Sequence, residues 1–137
     1  IFGQINAQVS KNYSVGVSAS YAGYNTDKVE EAWNLPQLKA NLFGDFKFSD
    51  KWFGGLNFFY IGERKDMLQS NVAAVPSGEV TLKGFFDANA HVGYNLSDRF
   101  TVFLKANNIA SQDYERWYSY PVQQIQVLGG LTYKFDF

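Results

Sequence analysis

From Ile125 to the last residue every odd position is apolar or small: Ile125, Val127, Gly129, Leu131, Tyr133, Phe135 and Phe137. The interleaved even positions read Gln124, Gln126, Leu128, Gly130, Thr132, Lys134 and Asp136. A period of two belongs to an extended strand with one greasy face and one mostly wet face. Soluble sheets alternate as well. A strand this long, with an aromatic-rich apolar face and a terminal Phe, matches the closing strand of a barrel whose outside meets lipid.

The same alternation recurs along the chain with only its parity changing. Ile1, Gly3, Ile5, Ala7 and Val9 oppose Phe2, Gln4, Asn6 and Gln8, and the run Tyr13 to Gly23 sets Val15, Val17 and Ala19 against Ser14, Gly16 and Ser18. Leu38, Ala40, Leu42, Gly44, Phe46 and Phe48 oppose Lys39, Asn41, Phe43, Asp45 and Lys47. The run Trp52 to Gly62 is weaker, because Phe53, Phe59 and Ile61 share the wet face with Asn57. A strand from Thr81 to Leu96, another from Phe100 to Asn107 and the closing strand from Gln123 complete seven. No stretch of comparable length has a helical period.

Tight and long connections alternate strictly. Ser10-Lys11-Asn12-Tyr13, Ser49-Asp50-Lys51-Trp52 and Ser97-Asp98-Arg99-Phe100 are polar turns followed by an aromatic, whereas Asn25 to Pro36, Glu63 to Glu79 and Asn108 to Val122 are long. Short periplasmic turns and longer external loops are how bacterial barrels are organised. Tyr13, Phe48, Trp52 and Phe100 then fall at one depth, as a periplasmic aromatic girdle.

Composition excludes several function classes. The 137 residues contain 13 Phe, 9 Tyr, 3 Trp and no Cys, so zinc clusters, disulfide scaffolds and cysteine nucleophiles drop out together. A formal net charge of −1 gives no field for nucleic acid. No apolar run approaches the roughly 20 residues of a membrane helix, and the mean hydropathy of −0.25 reflects strands in which only every second residue is apolar. Neither an initiator Met nor an amino-terminal signal is visible. Seven strands with a periplasmic carboxyl terminus leave Ile1 outside the cell, whereas single-chain bacterial barrels have an even number. The expectation is therefore that residues 1–137 are the carboxy-terminal β-barrel segment of a longer protein.

The string from Tyr94 to Ile109, followed by Tyr114-Glu115-Arg116-Trp117, Tyr120-Pro121 and a Gly-Gly strand ending Tyr-Lys-Phe-Asp-Phe, resembles the carboxy-terminal strands of TonB-dependent outer-membrane receptors. Asn108-Ile109 stands where that family has an Asn-Leu type pair. Leu35-Pro36 entering a strand and Tyr60 to Arg64 leaving one are similar to the same family, and the Tyr-Pro-Val context of the last loop resembles members from Bacteroidetes. The resemblance implies an all-β, antiparallel, up-and-down transmembrane barrel, of 22 strands in the whole receptor, with a plug domain in its lumen. It further implies residence in the outer membrane of a Gram-negative bacterium, TonB as energising partner, and uptake of a nutrient such as a metal chelate, vitamin or glycan. The plug and the energy-coupling box are not in this sequence. A small autonomous barrel for adhesion or anchoring is the alternative, with an outer-membrane lipid enzyme behind it.

Residues for catalysis are scarce. His91 is the sole histidine and shares the wet face with Asp87 and Asn89, but no nucleophile is paired with it and no second His or Cys makes a metal set. The expectation is no catalytic, cofactor or metal site. Lys39, Asp45, Lys47, Asp87, Lys105 and Lys134 have mixed signs and are expected to form a luminal lattice of ion pairs and hydrogen bonds, or to face a plug. Tyr114, Arg116, Trp117, Tyr118 and Tyr120 are read as an outer aromatic girdle or a contact for ligand. Leu131, Tyr133, Phe135 and Phe137 form an outward ladder that resembles the signal read by the barrel-assembly machinery, where strand addition supplies backbone bonds and alternate side chains supply specificity.

Overall fold

A computed structural model describes residues 1–25, 32–68 and 77–135. Its main feature is a seven-stranded antiparallel sheet. The strands are β1 (Phe2–Ser10), β2 (Tyr13–Tyr21), β3 (Leu38–Lys47), β4 (Trp52–Ile61), β7 (Phe85–Asn95), β8 (Phe100–Asn107) and β11 (Gln126–Tyr133). They lie side by side in chain order. Strands of 8–11 residues are the length a tilted barrel strand needs to cross a bilayer. Two small hairpins rise from the long connections: β5 (Arg64–Leu68) with β6 (Gly78–Leu82), and β9 (Glu115–Trp117) with β10 (Tyr120–Pro121).

Pairing keeps every apolar row on one face. Val17, Leu42, Phe58 and Ala88 stand opposite one another across four strands, as do Val15, Gly44, Leu56, Ala90, Ala106 and Val127 across six. These side chains are not covered: Leu42, Phe58, Leu104 and Leu131 are exposed, the last at 65%. Among the described residues no large side chain is fully buried, and the buried hydrophobic residues are only Leu82, Phe85, Ala88 and Tyr114. A sheet with a continuous uncovered apolar face and no core beneath it is stable when lipid supplies the covering.

The opposite face carries Lys39, Asn41, Phe43, Asp45 and Lys47 from β3 and Asp87, Asn89 and His91 from β7, as the alternation predicts. Three of the phenylalanines on this wet face have a specific job. Phe43 lies over Gly16, Phe53 over Gly93 and Phe103 over Gly130, each ring filling the place where a Cβ would stand on the facing glycine. The rings are therefore laid flat along the wall, and the apolar surface they hide is shared with backbone.

Three expectations need correction. The stretch from Glu63 and the stretch from Asn108 are not featureless loops but hold the β5–β6 and β9–β10 hairpins. Thr81 and Leu82 belong to β6 rather than to the long strand, which starts at Phe85; Gly84 at this break approaches the Tyr60 hydroxyl so closely that a Cβ would be 2.7 Å from it. The six charged residues expected to make a luminal lattice form no ion pair with one another among the described residues. The reason is spacing: Asp45 and Lys105 share one row, but Gly55 and His91 lie between them, three strand spacings of about 4.8 Å. Asp87 and Lys105 instead use Tyr114 and the Phe103 ring.

Candidate functional site

The two ends of the sheet are built differently. At the turn end Tyr13 and Phe46 rings are 6.0 Å apart, Phe46 and Phe48 6.2 Å, Trp52 and Tyr94 4.7 Å, and Phe100 and Tyr133 6.3 Å. Tyr133 continues to Phe135 at 4.8 Å. The expected girdle residues Tyr13, Phe48, Trp52 and Phe100 thus sit in a belt that also includes Phe46, Tyr94, Tyr133 and Phe135. Of the residues expected to signal assembly, Leu131 and Tyr133 are on β11 and Phe135 follows it; Phe137 lies outside the described residues.

The loop end is held by buried polar side chains. Arg64, at the start of β5, is only 5% exposed. Its Nε donates to Asn34 Oδ1 at 2.6 Å, and its Nη2 donates to the carbonyl oxygens of Glu115 and of Arg116, the latter at 3.1 Å. Asn34 Nδ2 donates to the same Arg116 carbonyl at 2.9 Å, and Asn34 N donates to the Lys65 carbonyl at 2.6 Å. Asn34 adopts a left-handed φ of 53°, which Asn tolerates better than most side chains. Next to it the buried Asp66 accepts from Tyr118 N at 2.8 Å and from Met67 N at 3.0 Å. One small cluster therefore joins residues from all three long connections.

Beneath this cluster lies an aromatic stack. The Arg64 guanidinium is 5.4 Å from the centre of the Phe85 ring, and Phe85 stacks on Tyr114 at 3.6 Å with only 8° between the planes. The Tyr114 hydroxyl donates to the buried Asp87 Oδ2 at 2.9 Å. Burial raises the Tyr114 phenol above its usual range, and the carboxylate that accepts its proton raises it further. Burial likewise lowers the Arg64 guanidinium, against the pull of Asp66. Among the described residues Arg64 Nη1 and Asp87 Oδ1 have no hydrogen-bond partner. Asn108, with φ 49°, ties the third connection to β7: its N donates to Asn89 Oδ1 at 3.2 Å, and its Nδ2 donates to the Gln112 and Gln123 carbonyls.

The five residues expected in the last loop therefore separate. Tyr114 is buried in the stack, whereas Trp117 and Tyr120, at 58% and 70%, are exposed on the β9–β10 hairpin with Arg116. Trp117, Tyr118 and Tyr120 line one wall of a cavity of about 660 Å³, and Asp66, Met67 and Leu68 line the other. His91 lies outside this cluster, four residues beyond Asp87 on the same face of β7. Its Cε1 lies 2.5 Å from where a Cβ on Gly55 would stand, with Asp45 Oδ1 at 2.9 Å from the same point. Among the described residues no group of three or more His, Cys, Asp or Glu is placed to hold a metal. Arg64, Asp66, Asn34 and Asn108 were not singled out as site residues by sequence reasoning, since their partners are mostly distant backbone groups.

Residues 3–109 match the family model described as TonB dependent receptor-like, beta-barrel. The chain belongs to that family. The ferripyoverdine receptor of the outer membrane of Pseudomonas aeruginosa superimposes with a TM-score of 0.82 at 14% identity, over 98% of this chain and 19% of that one. The siderophore receptor PirA from Acinetobacter baumannii gives 0.82 at 17% identity, over 98% and 21%. The copper transporter OprC gives 0.75 at 15%, over 98% and 23%. The chain thus spans about a fifth of the length of the solved proteins it resembles. No curated protein sequence matches it. As a TonB-dependent receptor barrel it is an outer-membrane chain of a Gram-negative bacterium, and its all-β antiparallel sheet is the barrel fold of that family.

Proposed function

We propose that residues 1–137 are the carboxy-terminal barrel wall of a receptor that takes up a nutrient across the outer membrane, energised by TonB through a plug domain carried elsewhere in the parent protein. The observation that carries this reading is the family match over residues 3–109, joined to a sheet whose apolar face carries exposed Leu42, Phe58, Leu104 and Leu131. Its membership of a receptor family speaks against an enzyme. The turn-end belt is the periplasmic girdle, in contact with lipid headgroups. The loop end faces outward and carries the recognition surface, with Trp117 and Tyr120 as its exposed aromatics. Metal chelates, vitamins and glycans are the candidate nutrients.

Two experiments test it. Cells expressing the full-length protein are grown on a ferric siderophore, cobalamin or an oligosaccharide as sole source of the respective nutrient, with and without TonB. Growth on one of the three that requires both proteins is the expected result; growth on all three that is indifferent to both would overturn the reading. Assembly is tested by deleting Phe137 or changing Phe135→Leu in the full-length protein and following heat-modifiable mobility on gels. We expect the deletion to reduce folded barrel much more than the substitution, because Leu131, Tyr133, Phe135 and Phe137 act as the ladder presented to the assembly machinery. Equal yields would leave these aromatics a lipid-contact role only.

A further inference from the structure

We propose that Arg64 is the positioning residue of the recognition surface: one guanidinium, seated in the second long connection, that holds the first and the third in place together. The proposal rests on the outward-facing reading of the loop end for its purpose, though not for its geometry.

A guanidinium offers five N–H donors in a rigid fork, suited to several acceptors at once, and in Arg64 the Nε and Nη2 sides of that fork are engaged while Nη1 is not. Here the acceptors are Asn34 Oδ1 from the first connection and the carbonyls of Glu115 and Arg116 from the third. These last two sit in β9, the strand that carries exposed Trp117 and leads to Tyr120. Asn34 closes the triangle by donating to the Arg116 carbonyl, so the Arg116 carbonyl is bound from both of the other connections. Beneath the fork the Phe85 ring, stacked on Tyr114, gives the cation a polarisable floor.

Strand pairing does not join the connections, because β9 and β10 pair with each other and β5 and β6 with each other, and neither hairpin joins the seven-stranded sheet. Among the described residues one backbone bond, from Asn34 N to the Lys65 carbonyl, links two of the connections, and the other hydrogen bonds between them are made by side chains. Asp66 adds one more, to Tyr118 N. Lys at position 64 would keep the charge but lose the fork, so it would not span the acceptors. Asn34→Gly keeps the left-handed backbone available while deleting both side-chain bonds, which separates anchoring from backbone strain.

The test uses the full-length protein in intact cells, with nitroxide labels at the exposed positions Gln37 and Tyr120 and, as a control, at the turn positions Lys11 and Asp50. Arg64→Lys and Asn34→Gly are each expected to broaden the Gln37–Tyr120 distance distribution and leave the Lys11–Asp50 distribution unchanged. Amide exchange across residues 115–121 is expected to accelerate about ten-fold or more in both variants. Should one variant fail to assemble, the other carries the test alone. Unchanged distances and exchange at 115–121, or loosening confined to residues 62–68, would overturn the proposal. Ascorbate added outside the cells reports the orientation separately: if it quenches the turn labels and spares Tyr120, the outward reading fails while the coupling result still stands.

Discussion

The turn end and the loop end of this sheet are stabilised by opposite means. At the turn end three short connections close on backbone bonds such as Phe48 N to the Trp52 carbonyl, and the rings of Tyr13, Phe48, Trp52, Tyr133 and Phe135 stay exposed on the apolar face. At the loop end lie the buried residues Arg64, Asp66, Leu82, Phe85, Asp87, Asn108 and Tyr114. The first leaves apolar rings uncovered by its own strands, whereas the second is completed by the protein's own side chains. The difference teaches where each kind of mutation is expected to be felt: added charge on the apolar face, lost polar partners beneath the loops.

The sharpest way to break the comparison is a charge on the apolar face. Leu104→Lys, mid-strand on β8, should cost about 2–4 kcal/mol in a bilayer folding equilibrium, and Val102→Lys or Leu131→Lys, level with Tyr94 in the belt, about 1 kcal/mol or less, whereas Thr101→Lys or Thr132→Lys on the other face should be tolerated. Equal sensitivity of the two faces would remove the lipid reading. Next in size is Gly93→Ala, which drives a methyl into the Phe53 ring and should cost about 1–3 kcal/mol. Relief by the second change Phe53→Leu would show that the ring is the cause.

Tyr114→Phe probes the loop end alone. It removes the donor that satisfies buried Asp87 Oδ2 and should cost about 1–3 kcal/mol in local opening measured by amide exchange, with turn-end exchange unaffected. The same residue gives a pH signature. Its phenol is raised above the unfolded value of about 10, so its contribution is complete below that pH and is lost as pH rises through the folded value. Alkaline loosening of residues 108–125 is expected in the wild type, and Tyr114→Phe should lack that component. The smallest effect is reserved for His91→Ala, for which uptake and any lipid-hydrolysing activity of the full-length protein should be unchanged.

How much of this was legible follows from where each interaction has its partner. Alternation placed Leu42, Phe58 and Val102 on one face and Asp87 and His91 on the other, because strand periodicity is local. The tight turns at Ser10, Ser49 and Ser97 were equally local. Arg64 is different: its acceptors lie 30 to 52 residues away, and two are carbonyl oxygens that every residue has. No residue type in the sequence marks such a contact. The β9–β10 hairpin was hidden for a similar reason, since a three-residue strand is too short for a period to show.

The wet-face phenylalanines carry one more consequence, for how the wall is put together. A strand displaced along its neighbour by two residues keeps every side chain on its proper side, so alternation cannot reject the error. Tight turns reject it for the pairs they join, but β2 with β3, β4 with β7 and β8 with β11 meet across long connections. Each of these three pairs contains one ring-over-glycine contact: Phe43 on Gly16, Phe53 on Gly93 and Phe103 on Gly130. Slipping by two brings Phe43 against Ser14 or Ser18, Phe53 against His91 or Asn95, and Phe103 against Leu128 or Thr132, where a Cβ already fills the seat. The glycines thus work as notches, one for each junction at which the chain would otherwise be free to mesh a tooth too early or too late.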